Sequence, residues 1–194
     1  VPVSFELDGQ ALARAVLKPD DKTSCMIVDF GATRTGITIV TNGTAVYTST
    51  LDFGGALLVQ VIMKELGVSE VEAHRLIHEY GLSASGAHKN IFSAIAGRIA
   101  VLKDEIDRRY VYWHEKKNQF DTLLSIQTIY ICGGYSTIAG LTEYLSTSLK
   151  TTVVQVNPWT NCVSFEDDIP LVTHTEAQSY TTAIGRALAD YIYD

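Results

Sequence analysis

Asn42-Gly43 stands between two runs rich in β-branched residues, 36–41 and 45–51, and it constrains the fold more than any other dipeptide in the chain. A tight turn of this kind needs positive φ at both central residues, which Asn and Gly tolerate, so the two runs are antiparallel neighbours. A third apolar run, 25–30, precedes them. It is joined to the hairpin by "DFGATRT", which crowds a carboxylate, a glycine, two threonines and an arginine into one connection. Much later comes a strand pattern over 128–132 ending in Gly133-Gly134, then a helix over about 138–149 and a strand over 152–156 closed by Asn157-Pro158. A last helix is expected over about 175–193, with Tyr180, Ala183, Ile184, Ala187, Leu188 and Tyr191 on one face. Three antiparallel strands followed by strand–helix–strand–helix read as a meander extended by right-handed parallel crossovers.

The residues between these two blocks are helical in pattern. Asp52-Phe53-Gly54-Gly55 breaks the strands, as a hinge and helix start. A helix over 56–66 stops at Gly67, and Ser69 with Glu72 is the signature of a capping box that opens the next helix, to about Tyr80. A loop is expected over 82–88. Ile91, Ile95, Ile99, Leu102, Ile106, Tyr110 and Trp113 then step by threes and fours, one apolar stripe along a long helix that predicts burial against a partner element. The opening 20 residues read as a short apolar strand, a turn at Asp8-Gly9 and a helix ended by Lys18-Pro19. The fold class is therefore α/β, of ribonuclease-H-like layout. The sheet domain is expected to comprise 1–53 plus 121–194, with 54–120 as an inserted, mainly helical subdomain.

Fifteen Lys and Arg against 22 Asp and Glu leave a formal net charge of -7, which argues against a nucleic-acid partner. A nucleotide is not excluded, because a metal and backbone dipoles hold phosphates without net positive charge. Cys25 and Cys132 lie in apolar runs, and with Cys162 they read as reduced thiols of a cytosolic protein. No apolar run reaches membrane-spanning length, and no signal peptide is visible. A chain that begins at Val1 is expected to be part of a longer protein.

In this layout the 29–35 turn and the Gly133-Gly134 turn leave strands of one sheet at the same end, where open α/β sheets bind ligands. Glycines there admit close backbone approach, and Asp29 can hold magnesium through water. Arg34 is expected to be solvated on the turn. His74 and His78 have the i, i+4 spacing of metal ligands but no third ligand nearby, so both are expected to be exposed, as is His114 near a helix end. Glu166-Asp167-Asp168 reads as a solvated loop. No catalytic triad emerges, and no catalytic residue is assigned.

Three stretches carry a family resemblance. "IVDFGATRTGITIV" resembles the second phosphate motif of the actin-like ATPases, "IYICGGYSTIAGL" their adenosine motif, and "TTAIGRALA" their second connecting helix. Within that superfamily the chain most resembles the C-terminal half of the PilM family of type IV pilus assembly, through "DGQALARAVL", "LDFGGALLVQVIMKELGVSEVEAHRLIHEYGL", "KDEIDRRYVYW" and "VVQVNPW". FtsA, the cell-division family, is second. The resemblance implies ATP and magnesium as ligands of the full-length protein, bound weakly or not at all by this part alone. Asp29 would face magnesium, Gly31, Ala32, Thr33 and Thr35 would lie at the phosphates, and Gly133 and Gly134 at the ribose and adenine. It also implies a cytoplasmic scaffold, peripheral to the inner membrane, with a PilN-like membrane protein, the N-terminal domain of the full-length chain and self-association as partners. At most slow ATP hydrolysis is implied for the full-length protein and none for this part alone. An FtsA-like filament protein and a sugar-kinase-type phosphotransferase are the alternatives. The family's Ala-Glu-x-x-Lys pattern, whose Glu and Lys reach the nucleoside, is replaced here by Ala73-His74-Arg75-Leu76-Ile77.

Overall fold

The computed structural model describes residues 5–83, 89–119, 124–162 and 169–190. Five strands form one sheet: β1 (Ser24–Phe30), β2 (Thr35–Thr41), β3 (Thr44–Leu51), β4 (Ile126–Cys132) and β5 (Thr152–Gln155), in the order β3-β2-β1-β4-β5. β1, β2 and β3 are antiparallel, whereas β4 and β5 add in parallel. The β2–β3 hairpin turns through Asn42 and Gly43 at φ of 52° and 73°, as the dipeptide demands.

Side-chain alternation splits β1, β2 and β4 between two cores. Met26, Val28, Phe30, Ile37, Ile39, Ile129 and Ile131 face one apolar cluster, and Cys25, Ile27 and Cys132 face the other. The first cluster is covered by α2 (Ala56–Leu66), α3 (Glu70–Glu79), α4 (Lys89–Gln119) and α5 (Leu141–Leu149). The stripe of α4 is buried from Ile91 to Trp113, except that Tyr110 is only half-buried, and it joins the sheet residues in one continuous cluster. Each fully buried Ile or Leu contributes about 1.5–3 kcal/mol by leaving water. Among the described residues no helix is long and apolar enough to cross a membrane.

The second face carries α1 (Asp8–Val16), α6 (His174–Ala177) and α7 (Thr181–Ala187). α1 and α7 cross where Gly185 lies against the Ala11 carbonyl, an approach that any side chain would block. Arg14 of α1 donates to the Gly185 carbonyl at 2.7 Å and pairs with Glu6, while Arg186 pairs with Asp8. Asn161 donates to the carbonyls of Arg14 and Leu17 at 2.8 and 2.6 Å, satisfying the end of α1.

Four local expectations are corrected. The helix α1 begins at Asp8, where a turn was expected; residues 5–7 are not strand, and positions 1–4 lie outside the described residues. The helix after β4 begins only at Leu141, because 133–140 is wound into turns and Gly140 sits at φ 76°. Ser69 accepts from the Glu72 amide at 3.3 Å, but Glu72 turns to Arg75, so the box is half made; the full capping box is Thr173 with Glu176. The last helix is broken at 178–180, because the Gln178 carbonyl accepts from Gly133 N and Thr181 Oγ1 and its buried side chain donates to Val156. The buried face there is Ala177, Gln178, Thr181, Gly185 and Leu188; Tyr180, Ala183 and Ala187 are exposed, Ile184 is half-buried, and Tyr191 lies outside the described residues.

Candidate functional site

The parallel register sets Asp29 of β1 opposite Cys132 of β4, so the turns leaving the two strands are side by side. The first is closed by Gly31 N donating to the Arg34 carbonyl at 3.1 Å, and Tyr135 N ties the second turn to the Phe30 carbonyl at 3.1 Å. Gly133 adopts φ 89°, and a Cβ there would meet Asp29 Oδ1 at 2.5 Å and the Phe30 carbonyl oxygen at 2.6 Å. Only glycine permits both the conformation and the contact. The two sequence motifs thus form one structure.

Asp29 lies on the α1 side of the sheet and is half-buried. Its Oδ2 accepts from Thr182 Oγ1 across 3.5 Å, a long contact. Burial pushes its carboxyl above the ordinary carboxylate range and the Asp8 charge adds to this, while the Thr182 hydroxyl opposes it. A carboxylate whose charge is undercompensated in this way is a natural seat for a cation. It opens into a cleft of about 360 Å³ whose lining includes Asp8, Arg34, Gly36, Thr38, Thr48 and Thr50. Asp8 is not among the candidates that the sequence offers, because Asp8-Gly9 reads there as a turn. Its place in the first turn of α1 was the available signal.

The other candidates divide. Ala32 and Thr33 are exposed at the tip of the first turn. Thr35 is fully buried and its hydroxyl donates to the Phe53 carbonyl at 2.7 Å, so it anchors the turn from beneath. The carbonyls of Gly31 and Ala32 accept from Gly55 N and Ala56 N at 3.0 and 2.9 Å, docking the start of α2 on the turn. Gly54-Gly55 is therefore a packing contact as well as a helix start. Arg34, with its side chain 70% exposed, pairs with Asp52 at 3.4 Å, a contact worth little in water. Gly134 turns its open side to Ser179, whose Oγ would lie 2.9 Å from a Cβ.

The histidines are not the exposed residues expected. His74 and His78 are half-buried, with rings parallel within 5° and centroids 6.4 Å apart. Both pack on Tyr135, at 5.7 and 5.6 Å. His78 Nδ1 is bonded to Thr137 Oγ1 at 2.9 Å, and burial, helped by His74, pushes the His78 imidazole below its ordinary value. α3 is seated by Ala73, Leu76 and Ile77 in the core, and this brings both imidazoles onto the Tyr135 ring. Ile77 is fully buried in the core. His114 is half-buried and packs against Tyr110 with ring centroids 4.5 Å apart and the planes tilted by 48°. Among the described residues no three His, Cys, Asp or Glu side chains converge on a metal position. The three cysteines are free, with Cys162 exposed. Glu166-Asp167-Asp168 lies outside the described residues.

The family model described as type IV pilus assembly protein PilM matches residues 5–191. Among solved structures, the PilM-PilN type IV pilus biogenesis complex is similar at a TM-score of 0.73 and 23% identity, over 97% of this chain and 53% of that one. The Spiroplasma citri MreB 5 structure bound to AMPPNP is similar at 0.64 and 11% identity, over 97% and 59%. The ethanolamine utilization protein EutJ of Carboxydothermus hydrogenoformans is similar at 0.56 and 20% identity, over 93% and 53%. At these identities the structural likeness shows the fold, that of the actin-like ATPases. The chain thus spans little more than half of each of these structures. No curated protein sequence matches significantly.

Proposed function

The chain belongs to the type IV pilus assembly protein PilM family, and on that premise we propose that it is the second, nucleotide-facing half of an actin-fold scaffold. That scaffold works on the cytoplasmic side of the inner membrane with a PilN-like membrane protein. The observation that carries this reading is the meeting of the Asp29 turn with Gly133 on adjacent parallel strands. It supports a wall that holds magnesium and phosphates. The residues present fit the metal end: Asp29 is half-buried, weakly bonded and raised by burial, beside Asp8 in one cleft. Magnesium takes one or two carboxylates and keeps its waters. A nucleotide bound here would supply phosphate oxygens to complete the coordination of a magnesium ion held beside Asp29. The exposed tip at Ala32 and Thr33, with Gly31, lines the phosphate side, and Thr35 fixes the turn that carries them.

The helical block 54–120 is the inserted subdomain of this scaffold, although its apolar stripe shares one core with the sheet. The exposed apolar side chains Leu7, Ile169, Leu171 and Tyr180 favour coverage by the remaining half of a longer protein, or by a second copy. Co-expression tests the partner. With its PilN-like protein, the full-length protein should fractionate with the inner membrane, and without it in the soluble fraction. The same distribution in both cases would remove the partnership.

A further inference from the structure

Away from the Asp29 cleft, α2 and α4 lie side by side over the first core. Leu58, Val59 and Ile62 turn one face of α2 into that core. Its other face carries Leu57, Gln60, Val61, Lys64 and Glu65, and together with Arg98 of α4 these side chains line a groove of about 340 Å³. Leu57 and Val61 stand four apart and so share a helix face. Leu57 is 40% exposed, and Val101, one turn on from Arg98, is 48% exposed. Every other arginine of the chain pairs with a carboxylate. Among the described residues Arg98 has no ion pair and no side-chain hydrogen bond, and neither has Lys64. Glu65, on the same rim, is within ion-pair reach of neither. Fifteen basic residues face 22 acidic ones in this chain, so a shortage of carboxylates does not explain the two unpaired cations.

We propose that this groove docks an acidic amphipathic helix of another protein, with its apolar face on Leu57 and Val61 and its carboxylates at Lys64 and Arg98. A groove between two helices accepts the side-chain ridge of a third. The apolar contact supplies affinity, while the two cations select the partner's charge and speed encounter. A second copy of the chain fits less well. Glu72, Glu79, Asp104 and Glu105 of α3 and α4 are already held by Arg75, Lys103, Arg108 and Arg109 of their own chain. Two chains of net charge -7 also repel one another. Docking here is independent of the nucleotide reading, since α2 and α4 cover the sheet face opposite the one that carries α1.

A displayed library of random peptides of about 16 residues, more than four helical turns, selected on the 194-residue chain, tests this. Peptides that bind should combine Leu, Ile or Phe at helical spacing with an excess of Asp and Glu. The strongest of them, made synthetically and titrated into isotope-labelled chain, should shift amides centred on Leu57, Val61, Lys64 and Arg98. Lys64→Glu combined with Arg98→Glu should weaken that peptide about tenfold or more, and so should Leu57→Ser. All three side chains are exposed, so the melting temperature of these variants should stay within about 2 °C of the parent. Affinity for the parent should fall as salt rises from about 0.05 to 0.5 M. Bound peptides without net negative charge, binding unchanged in the double variant, shifts centred elsewhere, or no enriched peptide at all would each overturn the proposal. So would self-association of the chain that the double variant abolishes, because the groove would then belong to a second copy.

Discussion

At the scale of single residues, Asp29 is a half-buried carboxyl that burial raises above the ordinary carboxylate range. A carboxyl raised by burial holds its proton more tightly folded than unfolded. Its contribution therefore favours folding at low pH and is lost as pH rises through the raised value. Asp29→Asn should raise the stability of the ligand-free chain at neutral pH by about 1 kcal/mol, a melting shift of roughly 2–4 °C for a chain this size. The gain should shrink in mildly acidic buffer, as the parent carboxyl takes up its proton. Magnesium-dependent nucleotide binding should disappear in the same variant. Thermal melts at both pH values check the sign, and a lower melting point at neutral pH would make Asp29 a structural residue. Gly133→Ala should act oppositely. It forces an L-residue to φ 89° and drives a methyl onto Asp29 Oδ1 and the Phe30 carbonyl, costing about 2 kcal/mol or more in denaturant unfolding.

At the scale of elements, two helical glycines separate propensity from packing. Gly97, in α4, is exposed and has nothing within 4 Å of a Cβ position. Gly97→Ala should therefore stabilise by about 0.5–1 kcal/mol, because alanine restricts the unfolded chain and favours helix. Gly185 lies in α7 against the Ala11 carbonyl of α1. Gly185→Ala should destabilise by about 1–3 kcal/mol, since the two helices must separate and the Arg14 bond to the Gly185 carbonyl must lengthen. Urea unfolding of both variants checks the contrast; equal effects would mean that the α1–α7 crossing is loose. The helical stripe of α4 was legible in its sequence because burial repeats with the helix period. The break in the last helix was not, because it comes from Gln178 bonding to Gly133 and Val156, which follow β4 and β5 far away in the chain.

At the scale of the whole molecule, Asp29 and Arg34 line one cleft, and the Gly133 turn packs against Asp29 beside it. Hydrolysis needs water, phosphates and metal held in a single geometry, and small misplacements are costly. Incubated with ATP and magnesium, the 194-residue chain should release phosphate no faster than buffer does. Steady turnover would show that this wall suffices for catalysis.

The sequence by itself determined what is local or periodic. Asn42-Gly43 specified its hairpin through backbone sterics, and the order of strands specified the sheet through chain connectivity. The two glycine turns come together at one end of the sheet because both follow strands that a crossover must make parallel. Only tertiary structure decided which groups those turns would meet. Asp8 reaches the cleft because α1 crosses α7; Thr35 is withdrawn because Phe53 offers its hydroxyl a buried acceptor. His74 and His78 leave the expected surface because Ala73, Leu76 and Ile77 seat α3 in the core, where Tyr135, 57 residues further along than His78, has its ring beneath them (from 78 to 135). These contacts join residues far apart in the chain, and local sequence carries no signal of a partner that the fold brings from elsewhere.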